Sequence, residues 1–327
     1  MTARGACAPA AAVVCVLLGS IAACAVRAQD YPARPVSLIV GFPAGGANDT
    51  VARIVAQKLA ASWGQSVVVV NRPGAGGTTA AAQVAKAAPD GHTLFVGEFG
   101  TIATAGSLYA KPPYDPVRDF AHVTLMEVFP LVLVVPAASP LAGVEFLIEQ
   151  AKSNPGKLRY GSSGVGTSPH LFAELINFRA RTMTVHVPYK GGAPSLVGVV
   201  SGEVEYSLIA PATALAQLGA GKLRALGVTS MDAAPRLPGV PPISKVLPGY
   251  EGLNFHGLHA PPETPRPVIL KIQQEVARTL RQPDVAERLD SLAMTVRAST
   301  PEEYAAFVRA QTETWSAVIR AANVRAD

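Results

Sequence analysis

Cysteine is almost absent from this chain. The 327 residues include three cysteines, and all of them lie near the N-terminus, at Cys7, Cys15 and Cys24. If this segment is a removable leader, the remaining chain has no thiol for a disulfide, a nucleophile or a cysteine-based metal site. The composition therefore excludes redox and thiol chemistry.

Charge is also scarce, since only 16% of the residues are charged and the formal net charge is +5. Arg4 and Arg27 precede the first acidic residue, Asp30, so the chain without its N-terminal segment is less basic still. This mild charge does not provide a phosphate-binding surface and indicates no nucleic-acid partner. Because 49% of the residues are hydrophobic and the chain is longer than one core usually supports, we expect two lobes with large α/β cores.

The sequence has no apolar run long enough to span a membrane. The segment from Ala10 to Ala25 falls short of the roughly 20 residues that a spanning helix needs. It follows Arg4 and precedes a plausible cleavage triplet, Val26-Arg27-Ala28. Residues 1–28 are therefore predicted to be a signal peptide of an exported, soluble protein.

The leader also permits a second interpretation. Ile21-Ala22-Ala23-Cys24 resembles a lipoprotein cleavage signal, in which case Cys24 would carry a lipid anchor. The alternative is that Cys24 is simply a small apolar residue of the leader.

Strands and helices are predicted to alternate after the leader. A short apolar run ends at Val40, a glycine-containing loop follows, and apolar residues then recur at helical spacing from Asp49 to Trp63. The Asn48-Asp49 pair is a natural cap for this helix. The same pattern repeats once and a third strand follows, and this βαβαβ alternation predicts a parallel sheet whose loops lie at the carboxyl ends of its strands, where ligands bind. The predicted strands are 36–40, 67–70 and 93–96.

A second α/β series begins after Phe120 and runs to Val228. A proline- and glycine-rich connection then leads to a strand over 253–260, and the helices after it are expected to pack on the first lobe. The fold class is thus α/β with two lobes, each a largely parallel sheet flanked by helices, joined by two hinge crossings. Lobe 1 is predicted to comprise residues 29–127 and 254–327, and lobe 2 residues 128–253. The cleft between hinged lobes is the expected binding site.

One loop in each lobe could hold a ligand. Residues 41–49 join a strand to a helix start, where free backbone N–H groups and the helix dipole favour an anion; the alternative is a tight turn without a ligand. Residues 160–170 make the same kind of connection in the second series and add several hydroxyl groups. His170 could contact a ligand or cap the helix.

Nucleotide, hydrolase and metal sites are not supported. No Gly-Lys-Ser/Thr follows the first loop, and the dinucleotide pattern at 74–79 ends in Thr79, so no cofactor is expected. Ser163 lacks the glycine at Val165 that a nucleophile elbow needs. His256 and His259 lie on opposite faces of a predicted strand, so no metal is expected either.

Five motifs, spread in order along the chain, resemble those of the Bug family of extracytoplasmic solute receptors. They are Tyr31-Pro32-Ala33-Arg34-Pro35-Val36, residues 42–49, residues 71–77, Asp90-Gly91-His92-Thr93-Leu94 and residues 186–191. Many members of this family are associated with tripartite tricarboxylate transporters. The resemblance implies a monomeric Venus-flytrap periplasmic binding protein (type II) that is not an enzyme. Its ligand would be a small organic carboxylate held by backbone amides and ordered water, and its partners would be membrane permease subunits.

The resemblance also implies which residues bind the ligand. Those carried over are Phe42, Gly46, Asn48, Asp49, Ser162, Ser163, Thr167, Ser168 and His170.

Two departures from the family pattern leave the ligand open. At the positions of Glu98 and Phe99, in the stretch that ends at Thr101, family members usually have small hydroxyl residues. The segment 208–211 also lacks an acidic residue that family members often have there. If Glu98 faces the cleft, it would repel a second ligand carboxylate and attract an amine, while Phe99 would favour an aromatic body. We therefore hypothesise a monocarboxylate that is aromatic or carries a cationic nitrogen. The alternative is that Glu98 points to solvent or pairs with an arginine.

Two other functions compete with transport. A receptor of the same fold could report its ligand to a membrane sensor. An exported hydrolase would have to use Ser162, Ser163 or His170, but no acid, base and nucleophile occur together.

Overall fold

The computed structural model describes residues 31–321 and 323–325. The predicted signal peptide and Cys24 lie outside these residues. None of the helices that are described is both long enough and apolar enough to cross a membrane.

The described residues form two sheets, which define the two lobes. The sheet of lobe 1 has the strand order β11-β4-β10-β3-β1-β2, with β1 paired in parallel to both β2 and β3. Its strands are β1 (Val36–Val40), β2 (Val67–Asn71), β3 (Thr93–Glu98), β4 (Ala121–Pro130), β10 (Leu253–Ala260) and β11 (Thr295–Val296).

The sheet of lobe 2 has the strand order β7-β6-β8-β5-β9. Strand β6 pairs in parallel with β7 and β8, whereas β5 is antiparallel to β8 and β9. Its strands are β5 (Val132–Pro136), β6 (Arg159–Ser162), β7 (Val185–Pro188), β8 (Tyr206–Ile209) and β9 (Leu223–Val228).

Helices cover the faces of both sheets. Those of lobe 1 are α1 (Ala47–Trp63), α2 (Thr78–Ala85), α3 (Ala105–Leu108), α8 (Arg266–Leu280), α9 (Pro283–Ser291) and α10 (Pro301–Ala321), where α8 and α10 pack against β4. Those of lobe 2 are α4 (Val144–Ser153), α5 (Ser168–Ala180), α6 (Gly192–Val200) and α7 (Pro211–Gly219).

Both sheets are mixed, whereas the sequence predicted largely parallel ones. The chain leaves lobe 1 through β4 and returns through β10, so these two strands run in opposite directions and pair along their whole length. Strand β4 is absent from the prediction because His122, Thr124 and Glu127 interrupt its apolar pattern. All three are buried, because β4 is covered by neighbouring strands and by the helices packed against it. The predicted lobe boundaries at 127/128 and 253/254 stay a prediction.

Thr229 joins the two hinge crossings. Its hydroxyl accepts the N–H of Leu131, at 2.8 Å, and donates to the carbonyl of Gly252, at 2.5 Å. Its backbone also bonds to both residues. Leu131 belongs to the outgoing crossing and Gly252 to the returning one, so a single buried side chain holds the two connections together.

We expect Thr229→Val to lower the free energy of unfolding by about 2 kcal/mol, because the isosteric side chain leaves a buried N–H and a buried carbonyl without a partner. Urea denaturation measures the change. Thr229→Ser keeps the hydroxyl and should recover most of the loss. Equal stability of the valine and serine variants would contradict this role.

Candidate functional site

A cavity of about 670 Å³, including its open mouth, lies between the two lobes. Lobe 1 contributes the β1–α1 loop, the end of β3 and part of β10, and lobe 2 contributes the starts of three helices. Apolar side chains form much of the remaining wall, among them Phe42, Pro43, Leu131, Leu208 and Ile209. The cavity is thus formed where both sheets end.

Four helix N-termini converge on this cavity. The lining includes Gly46 and Ala47 at the start of α1, Ser168 at the start of α5, Gly192 at the start of α6, and Ala210, which precedes α7. The first N–H groups of a helix have no partner within the helix, and the helix dipole adds a partial positive charge there. Four such ends around one cavity favour a bound anion.

No lysine or arginine is among the residues that line this cavity in the described part of the chain. The ionisable side chains of the lining are those of Glu98 and His256. A bound anion would therefore be held by backbone dipoles and hydrogen bonds rather than by a cationic side chain.

Two buried polar side chains of the lining have a free hydrogen-bonding atom. Asn48 donates from Nδ2 to the carbonyl of Val96, at 3.3 Å, while its Oδ1 has no partner. Ser168 is completely buried, and its Oγ also has no partner. Buried polar atoms of folded proteins are nearly always bonded, so both atoms are suited to contact a ligand.

Asp49 is not part of the cavity lining, but its hydrogen bonds hold the first loop in position. Its carboxylate accepts hydrogen bonds from the N–H of Gly45 (3.0 Å), from Nε of Arg53 (2.9 Å) and from Nδ2 of Asn71 (2.9 Å). Burial raises the pKa of Asp49, but these hydrogen bonds together hold it below its usual value. The helix begins at Ala47 with Gly46 as its N-cap, so the predicted Asn48-Asp49 cap is wrong.

The second loop is held by three of the residues expected to bind the ligand. The N–H of Gly166 donates to Nδ1 of His170, at 3.0 Å, and Thr167 donates to the carbonyl of Gly164, at 2.7 Å. Ser162 bonds to Nε2 of His186, at 2.6 Å. None of the three lies in the cavity lining. His170 is therefore a structural partner of the loop, and the residues of this loop that reach the cavity are Ser163, Ser168 and Pro169.

His170 and His186 stack almost in parallel, with ring centroids 3.9 Å apart. Burial lowers the pKa of His170 to about 3, with a further contribution from His186, and burial lowers the pKa of His186 to about 4. Both rings are thus neutral at ordinary pH, and the loop keeps its hydrogen bonds.

Glu98 lies at the end of β3 and faces the cavity. It is 5% exposed, and its Oε1 accepts the N–H of Gly100, at 2.9 Å. Burial raises the pKa of Glu98 to about 7, against the opposing effects of the Gly100 N–H, of His256 and of Thr101. The alternative, that Glu98 points to solvent or pairs with an arginine, is wrong.

Phe99 turns away from the cavity, which corrects the expectation that it would favour an aromatic ligand. It is fully buried and makes edge-to-face contacts with Phe172 and Trp315, at centroid distances of 5.0 and 4.8 Å. Thr101 is also buried outside the lining, where its hydroxyl bonds the backbone of Glu98. The turn after β3 directs Glu98 and Phe99 to opposite sides.

The contributions of α6, α7 and β10 to the site were not predicted from the sequence. The glycine pair Gly191-Gly192 before an apolar helical segment was a signal for another helix start of this kind. Nothing local marked Asn254 or His256, which reach the cavity because β10 pairs with β3.

Comparison with known proteins assigns this chain to a family. A family model described as "Tripartite tricarboxylate transporter family receptor" matches residues 51–324. The chain belongs to this family. Its sequence is 40% identical over 297 residues to the "UPF0065 protein in tcbD-tcbE intergenic region" of Pseudomonas sp. (strain P51), which covers 90% of this chain and 88% of that protein. It is 32% identical over 297 residues to "Protein BugT" of Bordetella pertussis, covering 90% of this chain and 91% of that protein.

Solved structures of similar proteins have the same fold. The periplasmic binding protein BugD superposes with a TM-score of 0.86 at 32% identity, over 90% of this chain and 99% of that one. Rpa4515 of R. palustris with adipate gives 0.86 at 33% identity, over 90% and 99%. MatC from Rhodopseudomonas palustris with bound malate gives 0.85 at 34% identity, over 88% and 100%. The predicted family and the two-lobed periplasmic binding protein fold are confirmed, and this family is one of solute-binding receptors.

Contacts outside the cavity lining join the two lobes of this receptor. Thr104 of lobe 1 donates to the carbonyl of Gly166 in lobe 2, at 3.1 Å, and to that of Gly100 in its own lobe, at 2.9 Å. Gly76 of lobe 1 packs so closely on lobe 2 that an added Cβ would lie 2.9 Å from the carbonyl oxygen of Val165. These contacts require the lobes to be closed.

We expect Thr104→Val to weaken ligand binding by about fivefold, since the bond to Gly166 is made in the closed form and a typical hydrogen bond contributes about 1 kcal/mol. The melting temperature of the ligand-free protein should fall slightly, because the bond to the Gly100 carbonyl is lost with or without ligand. Calorimetric titration measures the first effect and thermal denaturation the second. Thr104→Ser keeps the hydroxyl and serves as the control; equal affinities of both variants would contradict the closure role.

Proposed function

We propose that this receptor captures a small organic carboxylate in the cavity between its lobes and delivers it to the membrane subunits of a tripartite tricarboxylate-type transporter. The observation that carries the proposal is the convergence of four helix N-termini on a cavity whose described lining has no lysine or arginine. This arrangement suits a compact anion that can accept several hydrogen bonds. The similar proteins crystallised with malate and with adipate support a carboxylate.

Export fits this function. The proposed place of action is the periplasm, after removal of residues 1–28. The alternative is a receptor with a lipid anchor at Cys24. Closure of the lobes around the carboxylate would give the permease a surface that the empty receptor lacks. We expect the receptor to act as a monomer and without a cofactor.

A purely binding role is proposed in preference to hydrolysis. Ser162 and His186 are hydrogen-bonded like a nucleophile and its base, but Ser162 is completely buried and lies outside the cavity lining. Ser163, which does line the cavity, has no histidine among its hydrogen-bond partners in the described structure. A nucleophile must reach its substrate, so this geometry supports capture without turnover.

The direct test is calorimetric titration of the purified protein with a panel of small carboxylates that includes malate and adipate, each paired with its uncharged diamide. We expect at least one carboxylate to bind at micromolar or lower concentration and its diamide to bind at least about 100-fold more weakly, because the neutral group gains less from the helix dipoles. Equal affinity for acid and amide would contradict the proposal. Mass spectrometry of any solute that co-purifies with the protein would identify further ligands to add to this panel.

Gly46→Val should abolish most of this binding. Gly46 lies in the lining at the start of α1, and an added Cβ would meet no atom nearer than the Pro43 carbonyl oxygen at 3.9 Å, so the protein can accommodate the side chain. We expect at least about a tenfold loss of carboxylate affinity, with a loss of stability of no more than about 1 kcal/mol from the poorer cap.

The matched control is Gly219→Val, at the end of α7, where an added Cβ has no atom within 4 Å. Its carboxylate affinity should equal that of the unmodified protein. A Gly46→Val protein that binds as tightly as this control would show that the ligand lies elsewhere.

A further inference from the structure

Lobe 1 presents two hydrogen-bond acceptors to the cavity. The first is Oδ1 of Asn48, whose orientation is set by chemistry: the carbonyl of Val96 can only accept, so the NH₂ group of Asn48 must face it. The oxygen on the other side of the amide has no partner, although Asn48 is only 5% exposed. It needs a donor that the described residues do not provide.

The second acceptor is the carboxylate of Glu98, which has no cation of its own. The Gly100 N–H occupies Oε1. The imidazole of His256 is the other ionisable group of the lining, but its Nδ1 is bonded to the fully buried carboxylate of Glu127. His256 is therefore already bonded to Glu127, and the described lining offers Glu98 no lysine or arginine.

Lobe 2 contributes donors instead. Three of the four helix N-termini belong to this lobe, and the unpartnered Oγ of Ser168 lies at one of them. Most of the helix-start donors of the cavity thus belong to lobe 2, whereas the free side-chain acceptors Asn48 Oδ1 and Glu98 belong to lobe 1. An ammonium group has three donors and a positive charge, which matches both Asn48 Oδ1 and Glu98.

We propose that Glu98 and Asn48 form a subsite for an ammonium group, so that the receptor prefers an aminocarboxylate with one carboxylate to a dicarboxylate of the same length. This inference rests on the proposed capture of a carboxylate and specifies the other end of the ligand. A second carboxylate at this position would face Glu98, and two like charges at close range in a buried site are strongly unfavourable.

The proton balance of binding distinguishes the two ligand classes. Burial raises the pKa of Glu98 to about 7, so part of the unliganded protein carries a proton there near neutral pH. An ammonium group favours the ionised form of Glu98, releases this proton and binds more tightly as the pH rises. A second carboxylate favours the protonated form, takes up a proton and binds more weakly as the pH rises.

Other titratable groups near Glu98 do not replace it in this role. His256 and Glu127 are bonded to each other. Burial raises the pKa values of Tyr114 and Tyr304, with Glu98 adding to the shift of Tyr114 and Glu127 to that of Tyr304, so both phenols stay neutral. Burial also raises the pKa of Glu127, with His256 opposing the shift.

The experiment titrates the protein calorimetrically with ligand pairs that have equal numbers of methylene groups: β-alanine with succinate, γ-aminobutyrate with glutarate, and δ-aminovalerate with adipate. We expect at least one amino acid to bind at least about tenfold more tightly than its dicarboxylate partner. Its affinity should rise between about pH 6 and about pH 8, and titration in buffers of different ionisation enthalpy should show proton release.

Glu98→Gln tests the residue itself. The amide keeps an acceptor for the Gly100 N–H but removes the charge. The affinity for the preferred amino acid should therefore fall at least about tenfold and should no longer depend on pH. The affinity for the dicarboxylate should stay the same or increase. A folding defect would weaken both ligands alike. Glu263→Gln removes an exposed carboxylate from the loop after β10 and should leave every affinity unchanged.

The outcomes separate the two proposals. Dicarboxylates that bind more tightly than their amino acid partners, with proton uptake, would overturn the ammonium subsite and leave carboxylate capture intact. Equal pH dependence in the unmodified protein and in Glu98→Gln would also overturn the subsite. If the uncharged diamides bind as tightly as the amino acids or the dicarboxylates, the proposed capture of a carboxylate is overturned.

Discussion

The binding site depends on backbone N–H groups that are left free at helix starts. A helix cannot bond its own first amides, and four helices direct these amides towards one cavity. The attraction for an anion is therefore part of the architecture and cannot be removed by changing one charged side chain. In the proposed function, the side chains of the lining are then left to distinguish what the anion is attached to.

The loops around these helix starts are fixed from outside the cavity. Asp49 bonds the backbone of the first loop and joins it to Asn71 on the neighbouring strand, while His170 and Thr167 bond the backbone of the second loop. These side chains are buried, and their bonds are satisfied without a ligand. Residues that look like ligand contacts because they lie in a glycine-rich loop can thus be the ones that keep its amides in position.

The sequence predicts features that depend on local pattern and misses those that depend on distant partners. An apolar run followed by glycines and a helical repeat identified the β1–α1 loop, and the α5 loop was recognised in the same way. Strand β4 was missed because the partners of its buried polar residues are distant in sequence: Glu127 bonds to His256 and Thr124 to Ser299. The sequence also could not tell whether Glu98 or Phe99 faces the cavity, since neighbours at the end of a strand point to opposite sides and the local pattern does not show which side is the cavity.

Thr229 has a mechanical consequence for the receptor. Two independent connections between lobes would permit twisting and sliding as well as opening. Because one buried residue bonds both crossings, they act as one pivot, and the largest relative motion left to the lobes is rotation about it. The conformation of the whole molecule can then be described, to a first approximation, by a single angle.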